Sequence, residues 1–231
     1  MSEQDAAPLS RAAVSDAITR LGWRLVLGVA QTTVQAGGLS QAAEAGAFVA
    51  AQAGPAAEGR LLADMRGSEL ILMVRNPSGS MPTPAETNLV GRIAEILAAR
   101  GLKPDPGATG RSVQMLEVAI DAMDIPAILP FWRAALGYAD EPGSSGQPGA
   151  IVDPAGQGPA IWFQQMTEPR PQRNRIHLDI SVPHDEARQR IEAACAVGGV
   201  LVSDAEAPAF WVLADAEGNE ACITTWQGRD A

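Results

Sequence analysis

Two stretches about sixty residues apart decide the fold: "MLEVAIDAMDIPAILPFWRAALG" at 115–137 and "RIHLDISVPHDEARQRIEAACAVGG" at 175–199. Each reads as a strand, a short turn, a helix and a closing glycine, with Ile120 to Gly137 matched by Ile180 to Gly198. Short strand patterns follow each copy, near 149–153 and 159–165 after the first, and near 200–203, 209–214 and 219–226 after the second. Two βαβββ units describe this half of the chain. A repeated unit cannot bury its apolar face alone, so the copies are expected to pack together and share a site.

Alternation along four of these strands separates two faces. In "MLEVAID" Leu116, Val118 and Ile120 oppose Glu117, Ala119 and Asp121. In "RIHLDI" Ile176, Leu178 and Ile180 oppose His177 and Asp179. In "AIWFQQ" Ile161 and Phe163 oppose Trp162 and Gln164, and in "NEACITT" Ala221 and Ile223 oppose Glu220, Cys222 and Thr224. One face suits covering helices. The other offers residue types that bind ligands or move protons, and it does so at matched places in both copies. Trp162 lies on that face, where a planar ligand could stack.

The 231 residues fit one large domain or two of ordinary size, and 46% hydrophobic content is enough for packed cores. A net charge of -10 repels phosphate backbones and argues against nucleic-acid binding. The one basic cluster, Arg170 to Arg175, reads as a solvated loop ahead of a strand. Cys195 and Cys222 are too few and too far apart for a disulfide framework. No apolar run approaches the ~18 residues of a membrane span, and the opening "MSEQDAAPLS" lacks the pattern of a signal peptide. A cytoplasmic protein with no membrane partner is the expectation.

The clearest seam is "GLKPDPGATGRS", 101–112, whose glycines and prolines interrupt any helix or strand. It sets domains of 1–105 and 112–231. Ahead of it the order is helix, two strands, helix, two strands, helix. The helix over 9–21 ends at Gly22, and strands follow at 23–28 and 30–35. An Ala-rich helix then carries Ser40 as its expected N-cap. "GRLLADM" and "SELILMVR" form a hairpin through Arg66-Gly67, and a last helix runs from near Pro84 to Gly101. The class is α+β: an N-terminal αββαββα sheet-and-helix domain and a C-terminal paired βαβββ half-barrel.

The C-terminal half resembles the vicinal oxygen chelate superfamily, the glyoxalase, bleomycin-resistance and dioxygenase group, in its glyoxalase-like branch. The resemblance rests on "LEVAIDAMDIPAILPFWRAALGY", "GPAIWFQQM", "NRIHLDI" and "WVLADAEGNEACI". It implies a cavity curled from the paired modules and, in the family's metal enzymes, one ligand from each of four strands. Those places fall on Glu117, Gln164, His177 and Cys222, with Cys222 standing where Glu is usual and Glu220 two residues before it. The implied cofactor is a divalent metal, Zn, Ni, Mn or Fe, with Glu117, Gln164 and His177 as ligands. Glu117 and His177 are the implied catalytic pair, and Trp162, Gln164, Asp179, Glu220 and Cys222 would line the substrate site. The function so implied is binding or transformation of a small organic molecule, with metal-assisted lyase or isomerase chemistry if the protein is an enzyme.

The N-terminal half resembles pterin-4a-carbinolamine dehydratase in "LGWRL" and in the order of its elements. That family relies on a His-His-Pro segment, and here "AAEGRLLADM" places Ala57 and Glu58 there, with Arg75 or Asn76 at a later histidine position. The resemblance therefore implies the scaffold without the dehydratase site, with Glu58, Arg75 and Glu86 as an alternative polar set. A 4a-hydroxytetrahydrobiopterin dehydratase is the alternative function, and a non-catalytic binding or dimerisation module is another. A small-molecule ligand and a homodimer are the expected partners.

Overall fold

The computed structural model describes residues 9–79, 81–110, 112–142, 150–170 and 176–228. The protein is α+β, and its chain divides into two compact units, Met1–Met115 and Leu116–Ala231.

The first unit has the αββαββα order read from the sequence: α1 (Arg11–Thr19), β1 (Arg24–Val26), β2 (Val29–Gln35), α2 (Leu39–Ala53), β3 (Leu61–Arg66), β4 (Glu69–Val74) and α3 (Pro84–Ala98). Its strands form one antiparallel sheet in the order β1-β2-β4-β3. Alternation in β4 puts Leu70, Leu72 and Val74 into a core with Val14, Ile18, Val49, Leu89 and Ile93 from the helices. Ser40 is not a cap: α2 starts at Leu39 after Gly38, with no side-chain cap bond, so Ser40 lies in the first turn. α3 is closed as its sequence suggests, by a capping box of Thr83 and Glu86 with Pro84 at the start.

The second unit consists of β5 (Glu117–Ala122), α4 (Ile125–Leu136), β6 (Ala139–Asp140), β7 (Ala150–Val152) and β8 (Ala160–Gln165), then β9 (Leu178–Ser181), α5 (Ala187–Ala196), β10 (Val200–Ser203), β11 (Phe210–Ala214) and β12 (Glu220–Thr224). These are two βαβββ modules. Their sheets run β5-β8-β7-β6 and β10-β11-β12-β9, and neither closes into a barrel. β5 pairs with β8 in parallel, and β9 with β12 likewise. Val118 faces Ile161 in the first module and Leu178 faces Ala221 in the second, so moving 60 residues along maps one pair onto the other. The sequence repeat is a repeat of register. One core joins the modules: Ile120, Ile128, Trp132 and Ile161 from the first pack with Ala187, Ala194, Leu213 and Ile223 from the second.

Strands β5 and β9 are shorter than the alternation suggested. Leu116 and Ile176 sit outside them and are exposed, Ile176 by 81%. Where α5 turns into β10, an added methyl at Gly199 would lie 2.5 Å from Phe131 Cδ2 and 2.7 Å from the Ala194 carbonyl oxygen. Gly199→Ala is therefore expected to destabilise this unit by about 1–3 kcal/mol through overpacking, read as a lower urea midpoint with an unchanged slope.

Candidate functional site

The second module gathers the reactive side chains. In the parallel β9–β12 ladder Asp179 lies directly opposite Cys222, and Ser181 opposite Thr224. Side chains at i and i+2 share a face, so His177, one residue before β9, stands on the same side as Asp179. His177 Nδ1 is 2.9 Å from Asp179 Oδ1 and 3.8 Å from Cys222 Sγ. The candidate ligand atoms of all three lie within 4.8 Å of one another. Cys222 is buried, 5% exposed, while the side chains of His177 and Asp179 are exposed by 51% and 58%. The thiol is thus the floor of a group open above it. Beside it the Ser181 and Thr224 hydroxyls share a hydrogen bond of 2.8 Å.

The first module offers Glu117, Ala119 and Asp121 on β5 with Trp162 and Gln164 on β8, since Ala119 faces Trp162 and Asp121 faces Gln164. Glu117 and Gln164 are exposed and Trp162 is half-buried. Gln164 donates to the carbonyl oxygen of Gln165 at 3.4 Å, and Asp121 pairs with Arg170 at 2.9 Å. The rest of the basic cluster, 171–175, lies outside the described residues. By the 60-residue register Glu117 corresponds to His177, Trp162 to Cys222, and Gln164 to Thr224. Of the four expected metal positions, the structure brings His177 and Cys222 together. Among the described residues Glu117 joins no group of three or more His, Cys, Asp or Glu ligand atoms. Asp179, expected only as a lining residue, takes a place beside His177 instead.

The motif "DAEGN", 215–219, is a clamp. Buried Asp215 accepts hydrogen bonds from Trp132 Nε1 at 3.0 Å and from Glu217 N, Asn219 N and Asn219 Nδ2 at 2.9 Å each. Glu217 accepts from Met123 N at 2.8 Å and Asp124 N at 2.6 Å, at the start of α4. A carboxylate there meets unpaired N–H groups and the positive end of the helix. The turn before β12 thereby locks the second module onto the first, placing Cys222 relative to β5. Glu220, two residues before Cys222, is half-buried.

On the helix side, a depression of about 190 Å³ is lined by Ala134, Glu186, Gln189, Arg190 and Ala193.

In the first unit Glu58 and Arg75 are exposed, and Glu86 pairs with a residue the sequence did not single out, Arg60, at 2.7 Å. Both histidines, His177 and His184, lie in the second unit. Among the described residues no helix is long and apolar enough to cross a membrane.

Solved structures resemble about half of the chain. A glyoxalase-related enzyme from Fulvimarina pelagi is 21% identical, with a TM-score of 0.37 over 48% of this chain and 87% of its own. A glyoxalase/bleomycin resistance protein/dioxygenase family enzyme from Burkholderia phytofirmans PsJN is 18% identical, with a TM-score of 0.36 over 47% and 95%. The fosfomycin resistance protein FosX from Mesorhizobium loti is 8% identical, with a TM-score of 0.39 over 48% and 89%. No curated protein matches the chain. Residues 117–224, from the first residue of β5 to the last of β12, match the family model described as a glyoxalase-like domain, which supports the vicinal oxygen chelate reading of the C-terminal half.

Proposed function

We propose that the C-terminal unit binds a small organic molecule on the polar faces of its strands and carries out lyase or isomerase chemistry of glyoxalase type at His177. The observation that supports this reading is the meeting of His177 and Asp179 at 2.9 Å on a face that is open to solvent and backed by Cys222. With Nδ1–H donated to Asp179, the Nε2 lone pair is available to take a proton from a carbon beside a carbonyl. Asp179 fixes that tautomer and the orientation of the ring. The Ser181 and Thr224 hydroxyls can donate to ligand oxygens, and the half-buried Trp162 offers a ring face to a planar group. Glu117, at the position equivalent to His177, supplies a carboxylate from the other module. A divalent metal, where one is bound, supplies Lewis-acid polarisation of the carbonyl.

The test uses enolisable carbonyl compounds, free and as thiol adducts, together with bleomycin. Binding is followed by tryptophan fluorescence, and carbon-bound proton exchange by NMR. At least one compound is expected to saturate the protein and exchange its proton, with His177→Ala slowing exchange by about 10²–10⁴-fold. Asp179→Asn is expected to slow exchange more than it weakens binding. If the doubly substituted Glu117→Ala/His177→Ala protein binds every compound as the parent does, the proposal is wrong.

A further inference from the structure

We propose that His177, Asp179 and Cys222 form a thiolate-containing metal centre built within the second module alone. The geometry is set by backbone before any metal arrives. Asp179 and Cys222 are cross-strand partners, and His177 precedes Asp179 by two residues on the same face. Around a tetrahedral zinc ion, with bonds of ~2.0–2.3 Å, ligand atoms stand about 3.3–3.7 Å apart. The imidazole Nδ1 is 2.9 Å from the Asp179 oxygen and 3.8 Å from the Cys222 sulfur, and all three ligand atoms lie within 4.8 Å of one another, so side-chain adjustments on the order of an ångström bring them to bonding distance. Bonding through Nδ1 places the imidazole proton on Nε2, so the metal-loaded centre and the use of Nε2 as a base are alternative states of His177, and the base role belongs to the metal-free protein.

The donor set selects the ion. One thiolate, one imidazole and one carboxylate suit zinc or cobalt, and a thiolate disfavours magnesium, calcium and manganese. Three protein ligands under an open face leave a coordination position for water or a ligand atom, as in a catalytic rather than a structural zinc site. Neither Glu117 nor Gln164 is needed. This centre departs from one ligand per strand over four strands, and it explains the thiol at position 222 as a ligand in its own right. Metal binding is measured without any organic ligand, so it can fail while the small-molecule reading stands, and the reverse.

The full-length protein, stripped with chelator and kept reduced, is titrated with cobalt(II). A sulfur-to-cobalt charge-transfer band in the near ultraviolet is expected to saturate at one cobalt per chain and to vanish on adding zinc. Cys222→Ser and His177→Ala remove the band, and Asp179→Asn weakens cobalt binding at least tenfold. Glu117→Gln and Gln164→Ala leave it within twofold. No band, a band that survives Cys222→Ser because Cys195 supplies the sulfur, or loss of binding in Glu117→Gln equal to that in Cys222→Ser overturns the proposal. Because Cys222 is buried, circular dichroism of Cys222→Ser checks its fold. The exposed Asp179→Asn variant decides the matter if that fold is lost, with unchanged cobalt affinity overturning the proposal.

Discussion

Asp215→Ala is expected to destabilise the C-terminal unit by about 3–5 kcal/mol, on the order of 15 °C in its melting temperature. The carboxylate receives four hydrogen bonds, one of them from the indole of Trp132, which lies 83 residues earlier and is itself buried. Removing the acceptor leaves Trp132 Nε1 with no partner in the core, a penalty of about 1–3 kcal/mol alone. It also loosens the turn from which Glu217 holds the start of α4. Trp132→Phe keeps most of the packing and leaves Asp215 with three donors, so its expected effect is about 1–2 kcal/mol. In a double-mutant cycle the two changes should be strongly non-additive. Tryptophan fluorescence reports this unit, since only Trp23 of the five lies in the other. An Asp215→Ala protein that unfolds at the parental urea concentration would remove the clamp from the account of this fold.

The clamp shows which parts of the molecule are legible in the sequence. Its residues could be recognised as a motif, yet their partners lie 83 to 94 residues away, and only the folded register identifies them. The repeat was legible because strand and helix periods recur in both copies. The ends of β5 and β9 were not, because Leu116 and Ile176 continue the alternation into residues that no strand pairs. Thr83, Pro84 and Glu86 mark the start of α3 through a spacing whose bonds are all local, so it could be read. Ser40 misled because a suitable capping residue sat one position inside a helix that begins after glycine.

The site divides along the same line. His177 and Cys222 are 45 residues apart, and a parallel ladder with no local hydrogen-bond signature sets them side by side. Sequence alternation placed both on the polar face without giving their register. The register also sets Gln164 at the place of Thr224 and Trp162 at the place of Cys222. Each module therefore brings a different chemistry to the same topological place. The first contributes a carboxylate and an aromatic ring, and the second an imidazole with a thiol. That asymmetry concentrates the imidazole, thiol and second carboxylate donors in the second module.

In the N-terminal unit, Glu86→Ala is expected to cost about 2–4 kcal/mol, because it strips the half-buried Arg60 of its partner and removes a helix cap in one step. Glu86 is 2% exposed and accepts from Arg60 Nε at 2.7 Å, Thr83 N at 2.8 Å and Thr83 Oγ1 at 2.7 Å. Burial alone pushes its carboxyl group up. The hydrogen bonds from Thr83, with the bond and charge of Arg60, outweigh burial and hold it below its ordinary value of 4.5. A carboxyl group depressed in the folded state stabilises it fully above the unfolded value, and that contribution disappears as pH falls through the folded value. The parental unit should therefore lose stability in acid, starting near pH 4.5 and continuing below it. Glu86→Gln should start less stable at neutral pH and lose less on acidification. Hydrogen exchange of α3 and β4 amides in the full chain separates this unit from the other. Equal acid sensitivity in the parent and Glu86→Gln would show that the Arg60–Glu86 pair does not govern this transition. A flatter profile in the variant assigns it to one buried carboxylate, whose role here is to hold the scaffold.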